Sequence, residues 1–239
     1  MFEIPPNEHV MIHVKLKNIF SQNKIDNYLE YTNLIIEKIK SFKPKSIVVP
    51  VFTYSFTKNR KFSLVKANSE VGRFSEEIRT QYSSKLRTLD PVFSALDILN
   101  YGFVDKKWNL EAFGEESIWK KWDDLNGLIL NINLEKIVST QFHFIEKSSN
   151  VPYRYDKNFE GQVFLSNNNF SNIEYKYLVG DTRINYDLNR DKILADMINN
   201  NIANEFLWRT TKVRWFRARD ARKLLHSKIS LDPLYMISK

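Results

Sequence analysis

Among 239 residues there are four histidines and no cysteine, so proton transfer near neutral pH rests on few side chains. Histidine is the residue whose unperturbed pKa, about 6.5, suits that task. His9 lies in a polar N-terminal segment, His13 in an apolar run and His226 in a basic tail. His143 has the richest neighbours, in Ser139-Thr140-Gln141-Phe142-His143-Phe144-Ile145-Glu146. If Ser139 or Thr140 caps a helix, then Thr140, His143 and Glu146 fall at i, i+3 and i+6, on roughly one face. A carboxylate beside the imidazole would fix one ring nitrogen as a donor and leave the other to accept a proton. The helix N-terminus would offer N–H groups to a developing negative charge. A solvated polar helix face is the plainer reading of the same spacing. No metal site is expected, since none of the other histidines repeats the His-x-x-Glu pattern.

Composition narrows the chemistry further. The absence of cysteine removes thiolate zinc sites, iron–sulfur clusters, disulfides and thiol nucleophiles. Six glycines form neither a phosphate-binding loop nor a dinucleotide fingerprint. Residues Met1 to Val10 lack the apolar segment of a signal peptide, and no apolar run approaches the roughly 18 residues of a membrane helix, so the expected location is the cytoplasm. With 43% hydrophobic and 14% aromatic residues, the chain can bury a sizeable core.

The elements that would position these residues follow from periodicity. Val10 to Val14 and Ile47 to Phe52 read as apolar strands, and Tyr28 to Phe42 between them has helical spacing, which suggests a βαβ unit. Tyr54 to Val71 reads as a long surface loop. Phe74 to Tyr82 reads as a helix, and Asp90-Pro91 as a turn before Phe93 to Leu99. Ser117 caps a helix carrying Ile118, Trp119, Trp122 and Leu125, stopped by Gly127, and Leu128 to Ile132 reads as a central strand. Gln162 to Leu165 and Ile173 to Leu178 flank an Asn-rich turn and form a hairpin. Ile193 to Phe206 reads as a helix, followed by a basic, aromatic segment from Trp208 to Leu225.

Several of these segments, in this order, resemble the aminoglycoside 3-N-acetyltransferase family. Val10 to Leu16 looks like the family's first strand and its His-Ser-Ser-Leu type loop, followed by Val49-Pro50-Val51-Phe52-Thr53-Tyr54. Gly72-Arg73-Phe74-Ser75-Glu76-Glu77-Ile78-Arg79 comes next. Arg87-Thr88-Leu89-Asp90-Pro91-Val92-Phe93-Ser94 is similar to the family's Arg-Ser-x-His-Pro-x-x-Ser, and Phe113-Gly114-Glu115-Glu116-Ser117 to its Phe-Gly-x-x-Ser. Thr140-x-x-His143-x-x-Glu146, followed by Val151-Pro152-Tyr153-Arg154, is the strongest match. Asp90 stands where the family has histidine, and Val14-Lys15 replaces the Ser-Ser pair.

The resemblance implies an α/β fold, a three-layer α/β/α arrangement with a central mixed sheet in a single domain, residues 1–239, with a basic segment at 205–239. It implies an acetyl-CoA-dependent N-acetyltransferase, with acetyl-CoA as co-substrate and no metal. His143 would be the general base, Glu146 its support, and Thr140 the group beside the thioester. The coenzyme would be received by His13, Lys15, Leu16 and Lys17 and by Arg87, Phe93 and Ser94. Glu76, Asp90 and Tyr54 would face the acceptor amine. A homodimer is an assembly the resemblance leaves open.

The formal charge is +8. Nine Lys and Arg against three acids fall within residues 205–239, so the rest of the chain is near neutral. A polycationic antibiotic gains little from such a protein. The charge therefore favours a nucleotide-linked or polysaccharide-precursor amino sugar, with the tail helping to hold an anionic acceptor. The competing reading is a nucleic-acid-binding protein in which Arg209 to Arg222 track phosphates and Trp208, Trp215 or Phe216 stack on bases.

Overall fold

The structure, a computed structural model, describes residues 3–17, 19, 27–208 and 210–238; Arg209 lies outside them. Strand β1 (His9–Val14) leads through helix α1 (Tyr28–Lys40) to β2 (Ser46–Pro50). Asn27 caps α1 by accepting from the Leu29 and Glu30 amides. Next come the short α2 (Phe56–Asn59) and β3 (Lys61–Ser63), then α3 (Arg73–Gln81), β4 (Ala95–Asp97), α4 (Ile118–Asp124) and β5 (Leu128–Ile132). The second half carries α5 (Gln141–Ser148), the hairpin β6 (Arg154–Ser166) and β7 (Asn169–Gly180), β8 (Asp187–Leu188), α6 (Arg190–Asn199), β9 (Ala203–Trp208), β10 (Thr211–Arg217), α7 (Ala218–Leu231) and β11 (Ile237–Ser238).

The central sheet has the order β4-β2-β1-β5-β10-β9. Its inner three strands are parallel, with Val10 beside Ile47 and His13 beside Asn131, and the outer three are antiparallel. Alternation along β1 and β5 sends Met11 and Ile129 into one apolar layer with Trp119, Phe142, Ile145 and Leu225. It sends Val10, Ile12, Leu128 and Leu130 into the opposite layer with Ile35, Ile39, Phe74 and Ile78. Helices α1 and α3 therefore cover one face, and α4, α5 and α7 the other, which is the expected three-layer α/β/α arrangement around a mixed sheet. No helix among the described residues is long and apolar enough to cross a membrane.

Three segments depart from the sequence reading. Tyr54 to Val71 is not one surface loop, because Phe56 and Phe62 are buried within α2 and β3, and β3 pairs in parallel with β6. The helix expected to reach Phe206 stops at Asn199; Asn201 takes a positive φ of 58°, and Ala203 onward pairs as an edge strand with β10. After α4 the left-handed residue is Asn126, φ 50°, rather than Gly127. Gly127 is needed for a different reason: a Cβ there would run into the Trp122 indole.

Candidate active site

In a parallel sheet, ligands bind beyond the carboxyl ends of the strands, where the connections diverge. Here β1 feeds β2 on one side and β5 lies on the other, so the divergence falls between β1 and β5. Residues Val14 to Lys17, Val51 to Tyr54 and Asn133 to Thr140 all leave the sheet at this edge. Asn133, φ 58°, joins two of these loops by donating to the carbonyls of Lys15 (2.7 Å) and Lys17 (2.8 Å).

The loop that delivers α5 is held by a polar row across the sheet. His13, Asn131, Arg214 and Glu205 are successive register partners. Asn131 grips the Val138 peptide from both sides, donating to its carbonyl at 3.0 Å and accepting from its amide at 2.6 Å. Arg214 is ion-paired to Glu205 and donates to the Leu134 and Glu135 carbonyls at 2.9 and 3.2 Å. This row fixes where α5 begins.

At the start of α5, Ser139 Oγ accepts from the Gln141 amide (3.1 Å), while the Phe142 and His143 amides bond to the Ser139 and Thr140 carbonyls. Those amides are consequently not the free donors the sequence suggested for a developing negative charge. Thr140 occupies the N-cap position without capping, so its hydroxyl is uncommitted among the described residues. One turn on, the His143 Nδ1–H donates to Glu146 Oε2 at 2.6 Å. A carboxylate can only accept, so this bond places the proton on Nδ1 and leaves Nε2 as the acceptor. The His143 side chain is 24% exposed and that of Glu146 fully buried. Burial pushes the Glu146 carboxyl up, but His143 and Arg154, whose Nε lies 2.6 Å from Oε2, outweigh it and hold the group below its ordinary range.

Aromatic rings wall the space around the imidazole. Phe113 lies 6.1 Å from the His143 ring, Phe93 lies 5.2 Å from Phe113, and Tyr54 and Tyr177 pack on Phe93 at 6.0 and 5.2 Å. Tyr54 is thus joined to the histidine through edge-on and tilted ring contacts, and burial raises its phenol above the ordinary range. Beside Glu146 a cleft of about 220 Å³ is lined by Lys147, Arg154 and Asp156. On the far side of the β1 loop, a groove of about 470 Å³ is lined by Lys15, Leu16, Lys17, Tyr28 and Arg73. Its cations and apolar floor suit a phosphorylated chain.

Other expected site residues serve the fold instead. Arg87 is buried, and its five N–H donors go to Ser94 Oγ, Thr53 Oγ1 and the carbonyls of Val51, Leu64 and Ala67. Phe93 and Ser94 are also buried, so the side chains of this trio brace the loops. Asp90 accepts from the amides of Val92 (2.8 Å) and Phe93 (2.6 Å), from Tyr175 Oη (2.9 Å) and from Asn109 Nδ2 (2.7 Å). Both of its oxygens are spent, and burial still pushes the carboxyl above its ordinary range. Glu76 sits on α3, in the layer opposite α5, and its carboxylate binds Arg79 and the Ser69 amide. Both acids are engaged by partners within the chain. His13 lies on the same sheet face as α5; its Nε2 is buried without a partner, and burial lowers its pKa to about 4.

The tail is likewise consumed internally. Besides Arg214, Arg217 pairs with Glu8, Arg222 with Asp123, and Arg219 donates to the Asp123 and Asp124 carbonyls. Phe216 and Leu225 are buried. Arg214, Arg217, Arg219 and Arg222, four of the tail's arginines, therefore already have partners within the chain. Arg154 is part of the matching motif but, like Gln141 and Asn133, has no role assigned to it by the sequence. Gln141 is fully buried with both amide atoms unpartnered, a feature that only the folded chain reveals.

Comparison with known proteins gives a consistent picture. The family model described as aminoglycoside 3-N-acetyltransferase matches residues 46–229. Among solved structures, the chain is similar to the aminoglycoside acetyltransferase AAC(3)-IVa apoenzyme, with 15% identity, a TM-score of 0.69, and coverage of 98% of this chain and 85% of that one. It is similar to AAC-IIIb in its binary complex with CoASH, with 14% identity, a TM-score of 0.74 and coverage of 95% and 91%. The YokD protein from Bacillus subtilis matches at 16% identity with a TM-score of 0.70, covering 94% and 93%. At these identities the structural likeness establishes the fold. Comparison of the sequence with curated proteins finds no significant match.

Proposed function

The chain belongs to the aminoglycoside 3-N-acetyltransferase family, acyltransferases that use acetyl-CoA, and from that membership we propose that it acetylates the primary amine of an amino sugar with His143 as general base. The observation that carries the proposal is the His143–Glu146 pair, 2.6 Å apart, with one ring nitrogen fixed as donor and the other free at a partly exposed edge. Beginning from the neutral amine, His143 Nε2 accepts the proton the nitrogen loses as that nitrogen bonds to the thioester carbon. It then returns the proton to the sulfur as the C–S bond breaks, so the products are the amide and the free thiol. Thr140 donates its hydroxyl to the thioester oxygen. Buried Glu146 accepts from Nδ1–H and keeps the ring oriented, and Arg154, its Nε 2.6 Å from Oε2, holds that carboxylate in place. Lys17, together with Lys15 and Arg73 once they exchange Glu135 and Glu77 for phosphate, holds the coenzyme phosphates in the groove beside the β1 loop.

We assign the acceptor to nucleotide-linked or polysaccharide-precursor amino sugars rather than to aminoglycoside antibiotics. A polycation needs free carboxylates, and two acids that pair with Lys147 of α5, Glu111 and Asp156, are already engaged. Glu111 binds Lys147 (2.7 Å) and Lys176 (3.8 Å), and Asp156 binds Lys147 (2.5 Å). Thiol release from acetyl-CoA over a panel of both acceptor classes tests the assignment. Turnover of a nucleotide-linked amino sugar is expected, and turnover confined to aminoglycosides contradicts it.

A further inference from the structure

A groove of about 530 Å³ opens where β3 and the tip of the β6–β7 hairpin meet the segment after Ser63. Phe62 and Phe164 line it, and Lys61, Lys66, Asn68 and Asn167 supply its polar groups. Neither lysine is ion-paired among the described residues, whereas most cations around α5 are. The groove's acid, Glu70, is committed to the Ser55 amide, which donates to it at 3.1 and 3.3 Å. With two lysines against one carboxylate, the groove is net positive and amide-rich over an apolar floor, a combination that suits a phosphate with a planar or sugar group attached.

Its position gives the groove meaning. Thr53 and Ser55 form part of its wall, and Tyr54 between them, 40% exposed, touches the buried Phe93, whose ring contacts Phe113 and through it the His143 ring. A ligand with its amine at His143 and its other end passing Tyr54 would bring that other end to Lys61 and Lys66. We propose that this groove binds the phosphate-bearing portion of the acceptor, with Lys61 and Lys66 neutralising a diphosphate. The proposal rests on the amino-sugar reading above and relocates the anion site from the C-terminal segment, whose arginines are occupied, to the β3–hairpin junction.

Direct binding separates this proposal from catalysis. With the enzyme saturated in coenzyme A, so that the β1 groove is filled, uridine diphosphate is titrated by calorimetry into wild type and into the double variants K61E/K66E and K61R/K66R. Both lysines are exposed, so neither substitution disturbs the core. Charge reversal is expected to weaken uridine diphosphate binding by about tenfold or more, with acetyl-CoA affinity unchanged, and the arginine variant is expected to keep it. Wild-type binding is expected to fall as salt is raised. Absence of binding to wild type, or an unchanged Kd in K61E/K66E, would overturn the proposal. If the binding pattern holds and no nucleotide-linked amino sugar is acetylated, the anion site stands and the acceptor assignment fails.

Discussion

His13 and His143 occupy the same face of the sheet in opposite chemical circumstances. His143 has a carboxylate on Nδ1 and a partly exposed edge; His13 is buried, its Nε2 unpartnered and its pKa lowered to about 4. The first arrangement suits repeated proton exchange, and the second keeps a neutral ring in place. Burial of a neutral histidine also has a thermodynamic signature. Between about pH 6.5 and 4, the unfolded chain binds a proton at His13 that the native state refuses, so stability rises with pH across that window. Acidification through it is expected to cost roughly 3 kcal/mol from this residue. Urea unfolding at several pH values checks this: wild type should lose stability more steeply than His13→Asn, and parallel profiles would contradict the account. Glu146 acts in the same direction at lower pH. Its depressed pKa contributes stability above the ordinary carboxylate range, and that contribution is lost as pH falls through the native value.

At the scale of elements, the placement of α5 depends on neighbours far away in sequence. Asn131 and Arg214 together hold four backbone groups between Leu134 and Val138. Replacing Asn131 with Leu leaves the Val138 amide and carbonyl without these partners, at an expected cost of about 1–3 kcal/mol. The shifted loop should also lower the rate of acetyl transfer more than the affinity for acetyl-CoA. Urea denaturation and thiol-release kinetics check both, and an unchanged rate would show that the row does not position α5. Local signals were readable where one segment sufficed: Ser117 caps α4 by accepting from the Lys120 amide at 3.2 Å, Leu128 to Ile132 is central, and the Asn-rich turn closes a hairpin. They failed where burial came from outside the segment. Phe62 looks like a loop residue until β6 pairs beside it and Arg87 packs over its ring. The Arg214 anchor was illegible because β9, read as helix, supplies its Glu205 partner.

For the whole molecule, the excess charge of +8 describes the surface poorly. The tail that holds much of it contributes Arg214, Arg217, Arg219 and Arg222 to internal ion pairs and hydrogen bonds, while Lys61 and Lys66 have no ion-pair partner among the described residues. The motif order was legible in the sequence and led to the family, since Thr140, His143 and Glu146 lie within two helical turns. The internal contacts of Arg87, Asp90 and Glu76 were not, because their partners come from segments distant in sequence or from the backbone of neighbouring loops. The central claim is that His143 moves the proton during acetyl transfer. The most direct test measures thiol release by His143→Ala with a turned-over acceptor, alongside calorimetry with acetyl-CoA. Transfer is expected to fall by about 10²–10⁴-fold with acetyl-CoA affinity unchanged; turnover near the wild-type rate would contradict the account.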